Sequence, residues 1–249
     1  MKLKREQNFS EQLEVERNIL EGTALKEAAS FIETLIIRQV NPVVCLRLLS
    51  LLSITQDGIP SKQYRFLSKL FAQSFGHEHV ITLFNLRKVR LFFDLPSPSP
   101  AALLEATPLA SSSRKPKFRD VVKKLKLIPK LPEGTVYDVK NPGDAAFVFG
   151  GAYVPVICPL LDACCSGGNL NETSKVLSGG LSRVWTRSTG LPQGTFATRV
   201  IGIFFLGGVT FAEVSALRFW SRKHSVKVVV LTTSLVNGNS LMKNLMSIK

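Results

Sequence analysis

The feature that most constrains this chain is the stretch 201–219, IGIFFLGGVTFAEVSALRF. Residues 201–206 form an unbroken apolar run, the pattern of a strand buried on both faces in a helix-covered parallel sheet. Gly207 and Gly208 then predict a tight turn. Thr210, with Glu213 three residues later, forms a capping box in which each side chain answers an orphan amide at a helix start, and Val214, Leu217 and Phe219 supply an apolar face. The unit reads as strand, glycine turn, capped helix.

Two further stretches read in the same way. Residues 146–156, AFVFGGAYVPV, predict a strand running into Gly150 and Gly151, before a helix carrying Ile157, Leu160 and Leu161. Residues 226–233, VKVVVLTT, predict a β-branched strand, followed by the turn-rich SLVNGNS and a short helix at 241–246. Three strand-then-helix units in succession predict an α/β domain with a parallel sheet and right-handed crossovers.

The region ahead of these units is helical. Across residues 1–93, Ser10 is placed to cap a first helix that is broken at Gly22 and Thr23. Residues 24–40 carry Leu25, Ala28, Ala29, Ile32, Leu35 and Ile36 at helical spacing. Asn41-Pro42 opens a third helix, the turn 56–60 ends it, Ser61 is the next cap, and Gly76 separates a fourth helix from a fifth at 77–89. The expected fold class is therefore α/β plus helical. A helical bundle at 1–93 is followed by a Pro/Ser-rich linker at 94–117 and an α/β domain at 118–249, with a further Gly/Ser/Thr-rich break at 166–198.

Charge is uneven along the chain. The formal net charge is +14, and residues 111–130 hold eight basic residues against one acidic, so half of the excess lies in twenty positions. Arg114, Lys115, Lys117, Arg119, Lys123, Lys124 and Lys126 are the candidate surface for an acidic partner or an anionic membrane, with plain solvation as the simpler reading. They bracket a short basic helix at 117–127 whose apolar side is Phe118, Val121, Val122 and Leu125. No stretch approaches the roughly 20 apolar residues of a membrane span, and the opening lacks a signal-peptide core. Cys45, Cys158, Cys164 and Cys165 show neither metal spacing nor a disulfide framework and read as buried thiols in a reducing, cytosolic setting, where the sequon at Asn171 is a chance match.

The motifs point away from catalysis. Neither glycine pair matches the spaced dinucleotide fingerprint, neither carries a Walker lysine, and close packing of strand on helix explains small residues there. His77, His79 and His224 have no accompanying ligand cluster, and no serine elbow is present. No catalytic residue, metal, cofactor or small-molecule substrate is expected. Gly150, Gly151, Gly207, Gly208, Thr210 and Glu213 are expected as structural turn and cap positions. A second hypothesis takes 59–91, two short helices joined at Gly76 with Arg87, Lys88 and Arg90 at the end, as half of a winged-helix module that binds nucleic acid. Against it, residues 1–95 carry 13 basic and 10 acidic residues, a net of only +3.

The set FVFGGAYVP at 147–155, FFLGGVTFAEVSALRF at 204–219 and VVVLTTSLVNGNSLM at 228–242 resembles the carboxy-terminal part of the SM (Sec-one/Munc-eighteen) proteins, and within them the vacuolar protein sorting thirty-three class, B type. LRLLSLLSITQDGIPSKQYRFL at 46–67 and FRDVVKKLKLIPKL at 118–131 support it. The resemblance implies a non-enzymatic scaffold for SNARE-dependent vesicle docking and fusion. Such a scaffold works through HOPS-like tethering complexes on the cytosolic face of late endosomes and lysosomes. Residues 1–93 would be the end of the family's helical third domain and 118–249 the returning half of its second. A tethering subunit of the sixteen type, or its B-type equivalent, would dock on both. The SNARE-gripping hairpin and the first domain have no counterpart here, so the chain reads as a fragment with weakened SNARE contact. Its sheet would be short of covering elements, which predicts marginal solubility. Pro159 departs from the family pattern and would kink its helix unless it falls in the first turn.

Overall fold

The computed structural model describes residues 2–95, 117–129, 137, 138, 140–165 and 200–247. The 94–117 linker, the 166–198 break and Asn171 lie wholly or mostly outside them. The chain divides into two compact units, Met1–Thr107 with Gly238–Lys249, and Pro108–Asn237.

The first unit is a helical bundle of α1 (Lys2–Glu21), α2 (Leu25–Ile37), α3 (Pro42–Thr55), α4 (Ser61–Phe75) and α5 (His79–Lys88), joined by a helix from the far end of the chain. Asn41 caps α3 by accepting from the Val43 amide at 2.9 Å, with Pro42 in the first turn, where its missing N–H costs nothing. The first helix differs from its sequence reading. Ser10 does not cap it, because the preceding KLKREQNF is made largely of good helix formers and carries the helix back to Lys2, leaving Ser10 exposed mid-helix. Ser61 does not cap α4 either: it is the first residue of that helix, Pro60 takes the cap position without a side-chain bond, and the Ser61 hydroxyl donates instead to the Leu95 carbonyl at 3.1 Å. The core is aliphatic and aromatic: Ile19, Ile32, Ile36, Leu46, Leu49, Leu67, Phe71 and Leu86 are fully buried.

The second unit begins with α6 (Phe118–Leu125), followed by a 3-10 helix, α7 (Ile157–Cys165), β1 (Val200–Phe205), α8 (Phe211–His224) and β2 (Lys227–Thr232). β1 and β2 pair in parallel, Val200 opposite Lys227 through Phe205 opposite Thr232. Trp220, Leu217 and Ala216 of α8 pack with Ala145, Cys158, Leu161 and Val226 against the inward residues Ile201, Ile203, Phe205, Val228 and Val230.

Three expectations are corrected here. Residues 145–149 are a 3-10 helix (Ala145–Phe149), so the sheet has two strands among the described residues. Asp144 caps that helix through the Ala146 amide at 2.9 Å, and a short apolar run does not by itself distinguish strand from helix. Neither strand is buried on both faces: exposure alternates along each, so the described residues cover one face only. The last helix, α9 (Gly238–Ser247), packs on the bundle instead of completing the α/β domain, with Met242 and Leu245 in the first unit's core. Pro159 lies in the first turn of α7, where no helical hydrogen bond is lost.

Candidate functional site

The strand-to-helix turn at Gly207 and Gly208 is sealed by its own side chains. The Gly207 amide donates to Thr233 Oγ1 at 3.0 Å, the Ser234 hydroxyl donates to the Gly207 carbonyl at 3.1 Å, and the Val209 amide donates to the Ser234 carbonyl at 3.0 Å. Beyond it, the Thr210 amide and hydroxyl each donate to Glu213 Oε2 at 2.8 Å, and the Glu213 amide donates to Thr210 Oγ1 at 3.2 Å. The start of α8 thus holds its own carboxylate. An anionic ligand would have to displace Glu213 and face its charge, which counts against phosphate binding on electrostatic grounds.

The second glycine pair is closed in a similar way. The Gly151 amide donates to the Ala146 carbonyl at 2.9 Å, and Tyr137 lies over the turn with its hydroxyl donating to Asp144 Oδ1 at 2.6 Å. Burial and then that hydrogen bond push the Tyr137 phenol up to about 12. Burial, then the charge of Glu213, push Tyr153 to the same level. A Cβ on Gly151 would meet the Tyr137 ring at 2.6 Å, and one on Gly208 would meet Ser234 and Val236 at 2.7 Å, each at a φ that L side chains rarely adopt. At both glycines the obstructing groups are loop side chains and not the packed helix. Gly150 and Gly207 also have positive φ, but a Cβ on either would meet nothing within 4 Å.

His79, His224, Cys45 and Cys158 are engaged in packing. His79 meets Phe71 edge-on at 5.4 Å. His224 stacks on Trp220 at 4.3 Å, and Asp162 accepts from the Trp220 indole at 2.7 Å with His224 Nε2 3.5 Å away. Burial pushes the Cys45 thiol up to about 11, and burial with the Asp162 charge does the same at Cys158. Cys164 is exposed, a correction to the buried-thiol expectation, because it faces outward at the end of α7. Arg87 pairs with Asp94 at 2.9 Å and lies over the Tyr64 ring, and Arg90 lies over Phe93, so the two arginines of the winged-helix reading are turned onto their own unit.

Two apolar surfaces stand out. On α5, Val80, Ile81 and Phe84 share one outward face, with Phe84 63% exposed, while Leu83 and Leu86 fill the core. On the outer face of the sheet, Val200, Phe204, Val229 and Leu231 are exposed, Phe204 opposite Leu231 in register, with Leu206 82% exposed at the strand's end. The sequence reading did not single out the α5 face. Its signal was HVITLFNL, which is apolar on more than one side, whereas a bundle helix with one solvated face has a single apolar stripe. Of the basic candidates, Lys117, Arg119, Lys123, Lys124 and Lys126 are exposed on and beside α6; Arg114 and Lys115 lie outside the described residues.

The architecture is that of a mixed helical protein with a small parallel two-stranded sheet among the described residues. The chain belongs to the Sec1 family, whose model matches residues 1–244. It is similar to vacuolar protein sorting-associated protein 33B of Homo sapiens, 36% identical over 270 residues covering 100% of this chain and 43% of the relative. The Danio rerio protein of that name is 35% identical over 266 residues, covering 99% of this chain and 43% of its own length. The vacuolar protein-sorting-associated protein 33 homolog of Arabidopsis thaliana is 31% identical over 258 residues, covering 96% of this chain and 39% of the relative. The chain therefore spans less than half the length of these relatives. Among the described residues no helix is long and apolar enough to cross a membrane.

Proposed function

We propose that the chain is a non-enzymatic SM-type scaffold in vesicle-mediated protein transport. It acts in the endosome–lysosome pathway by contributing to SNARE-dependent docking and fusion through a tethering complex. The observation that carries this reading is similarity along the whole chain to proteins named for vacuolar protein sorting. The exposed faces of α5 and of the sheet support it, since contiguous apolar surface of this kind marks a partner site. In this reading the helical unit corresponds to the end of the family's third domain and the α/β unit to the returning half of its second. A tethering subunit of the sixteen type, or its B-type equivalent, covers the α5 face. The complex sits on the cytosolic side of late endosomes and lysosomes. SNARE contact is expected to be weak for this chain alone.

The test is co-purification with the B-type tethering subunit, alongside an oligonucleotide shift at physiological salt. A stable complex that is lost in Phe84→Asp with unchanged melting is the expected result. A sequence-dependent shift with no complex would overturn the proposal in favour of a nucleic-acid-binding module, which the pairing of Arg87 with Asp94 and the stacking of Arg90 on Phe93 do not favour.

A further inference from the structure

We infer that α6 and its flanking lysines form a contact surface for an anionic lipid bilayer. The residue types and their order on the helix carry this inference. With 3.6 residues per turn, Phe118, Val121, Val122 and Leu125 fall on one stripe, and all four are half-buried, so the stripe is turned partly away from solvent. Lys117 and Lys124 stand along one border of that stripe, and Arg119 and Lys123 along the other. Lys126 follows in the left-handed conformation that ends the helix, and all five cations are exposed. Asp120 occupies the middle of the polar face between the two borders.

This arrangement suits a plane of headgroups better than the other polyanions a basic helix could take. With the apolar stripe turned from solvent, the headgroup plane meets the polar face, and the long aliphatic stems of Lys123 and Lys124, to either side of Asp120, carry their charges past its short carboxylate. A nucleic acid strand asks for one row of cations along the phosphates, with aromatic platforms for the bases. Here the cations form two rows separated by a carboxylate, and the helix's one aromatic, Phe118, lies on the half-buried stripe. An acidic protein partner is best gripped by the rigid fork of arginine, yet four of the five cations are lysines, compact charges that answer a diffuse field. With the apolar stripe half-buried and the cations exposed, attachment is electrostatic, without insertion, and must weaken steeply as salt shortens the Debye length.

The inference goes beyond the scaffold reading and rests on it only for the presence of a membrane; partner capture and lipid contact are read in separate assays. The purified full chain is floated with phosphatidylcholine vesicles containing phosphatidylserine and with pure phosphatidylcholine vesicles, at low and high salt. Flotation with the anionic vesicles alone, at low salt alone, is expected. Each cation near the surface is worth about fivefold in affinity, so the K123E/K124E variant should bind at least about 25-fold more weakly, with unchanged melting and unchanged capture of the tethering subunit. Equal flotation on neutral vesicles, salt-insensitive flotation, or wild-type flotation of a folded K123E/K124E variant overturns the inference. So does an oligonucleotide shift or retention on polyglutamate with no flotation.

Discussion

At Gly151 and Gly208, two constraints coincide. Each has a φ strained for any L residue, and each would place a Cβ into neighbouring side chains, whereas Gly207 carries the φ constraint alone. Gly151→Glu and Gly208→Glu should each cost about 2–5 kcal/mol, combining backbone strain with overpacking. Gly207→Ala should cost only the strain, about 1–3 kcal/mol, as read by chemical denaturation of the α/β unit. Equal losses at Gly207 and Gly208 would show that the contacts with Ser234 and Val236 are immaterial. Tyr153 makes a separate prediction about pH. Its phenol is raised from 10.0 to about 12, so the folded state favours the neutral form. The stabilisation is fully present below pH 10.0, the unfolded value, and is lost as the pH rises through about 12. Tyr153→Phe should therefore flatten the alkaline fall in melting temperature across that window; an unchanged fall would place its cause elsewhere.

At the level of elements, capping chemistry was legible only in part: the Thr210–Glu213 box forms, but Ser10 lies mid-helix and Ser61 is the first residue of α4, with Pro60 at the cap position. The Thr210–Glu213 box and the Asn41 cap both stand as their side-chain types require. The segment 145–149 was not legible: five apolar residues fit a strand or a helical turn equally, and it is the Asp144 side chain on the Ala146 amide that selects the turn. Helix α9 was legible as a helix but not in its destination. Met242 and Leu245 enter the bundle core, Asn85 donates to the Leu245 carbonyl at 3.2 Å, and Arg47 joins Asn239 at 3.1 Å and Glu16 at 3.6 Å. Leu245→Ala should thus destabilise the helical unit by about 2–4 kcal/mol through the cavity it leaves, measured by hydrogen exchange in α3 and α5. Protection lost only in α8 and the strands would contradict the placement of α9.

On the scale of the whole molecule, the outward apolar faces govern behaviour in solution. Phe204, Leu231 and Leu206 present a sheet face that water does not solvate well. The chain alone should self-associate, and Phe204→Lys with Leu231→Lys should shift it toward monomer in light scattering while leaving its melting transition in place. If the double variant self-associates as before, the sheet face is not the contact. Sequence alone was enough for the Thr210–Glu213 box, the parallel pairing of two apolar strands and the family, because these follow from side-chain chemistry read locally or from motifs taken as a set. Tertiary structure alone decided that α9 joins the bundle, that α5 and the sheet keep an apolar face outward, and that Arg87 turns onto its own unit. Burial is a property of what packs against a residue, and an apolar side chain has the same sequence signature whether its neighbour is core or water.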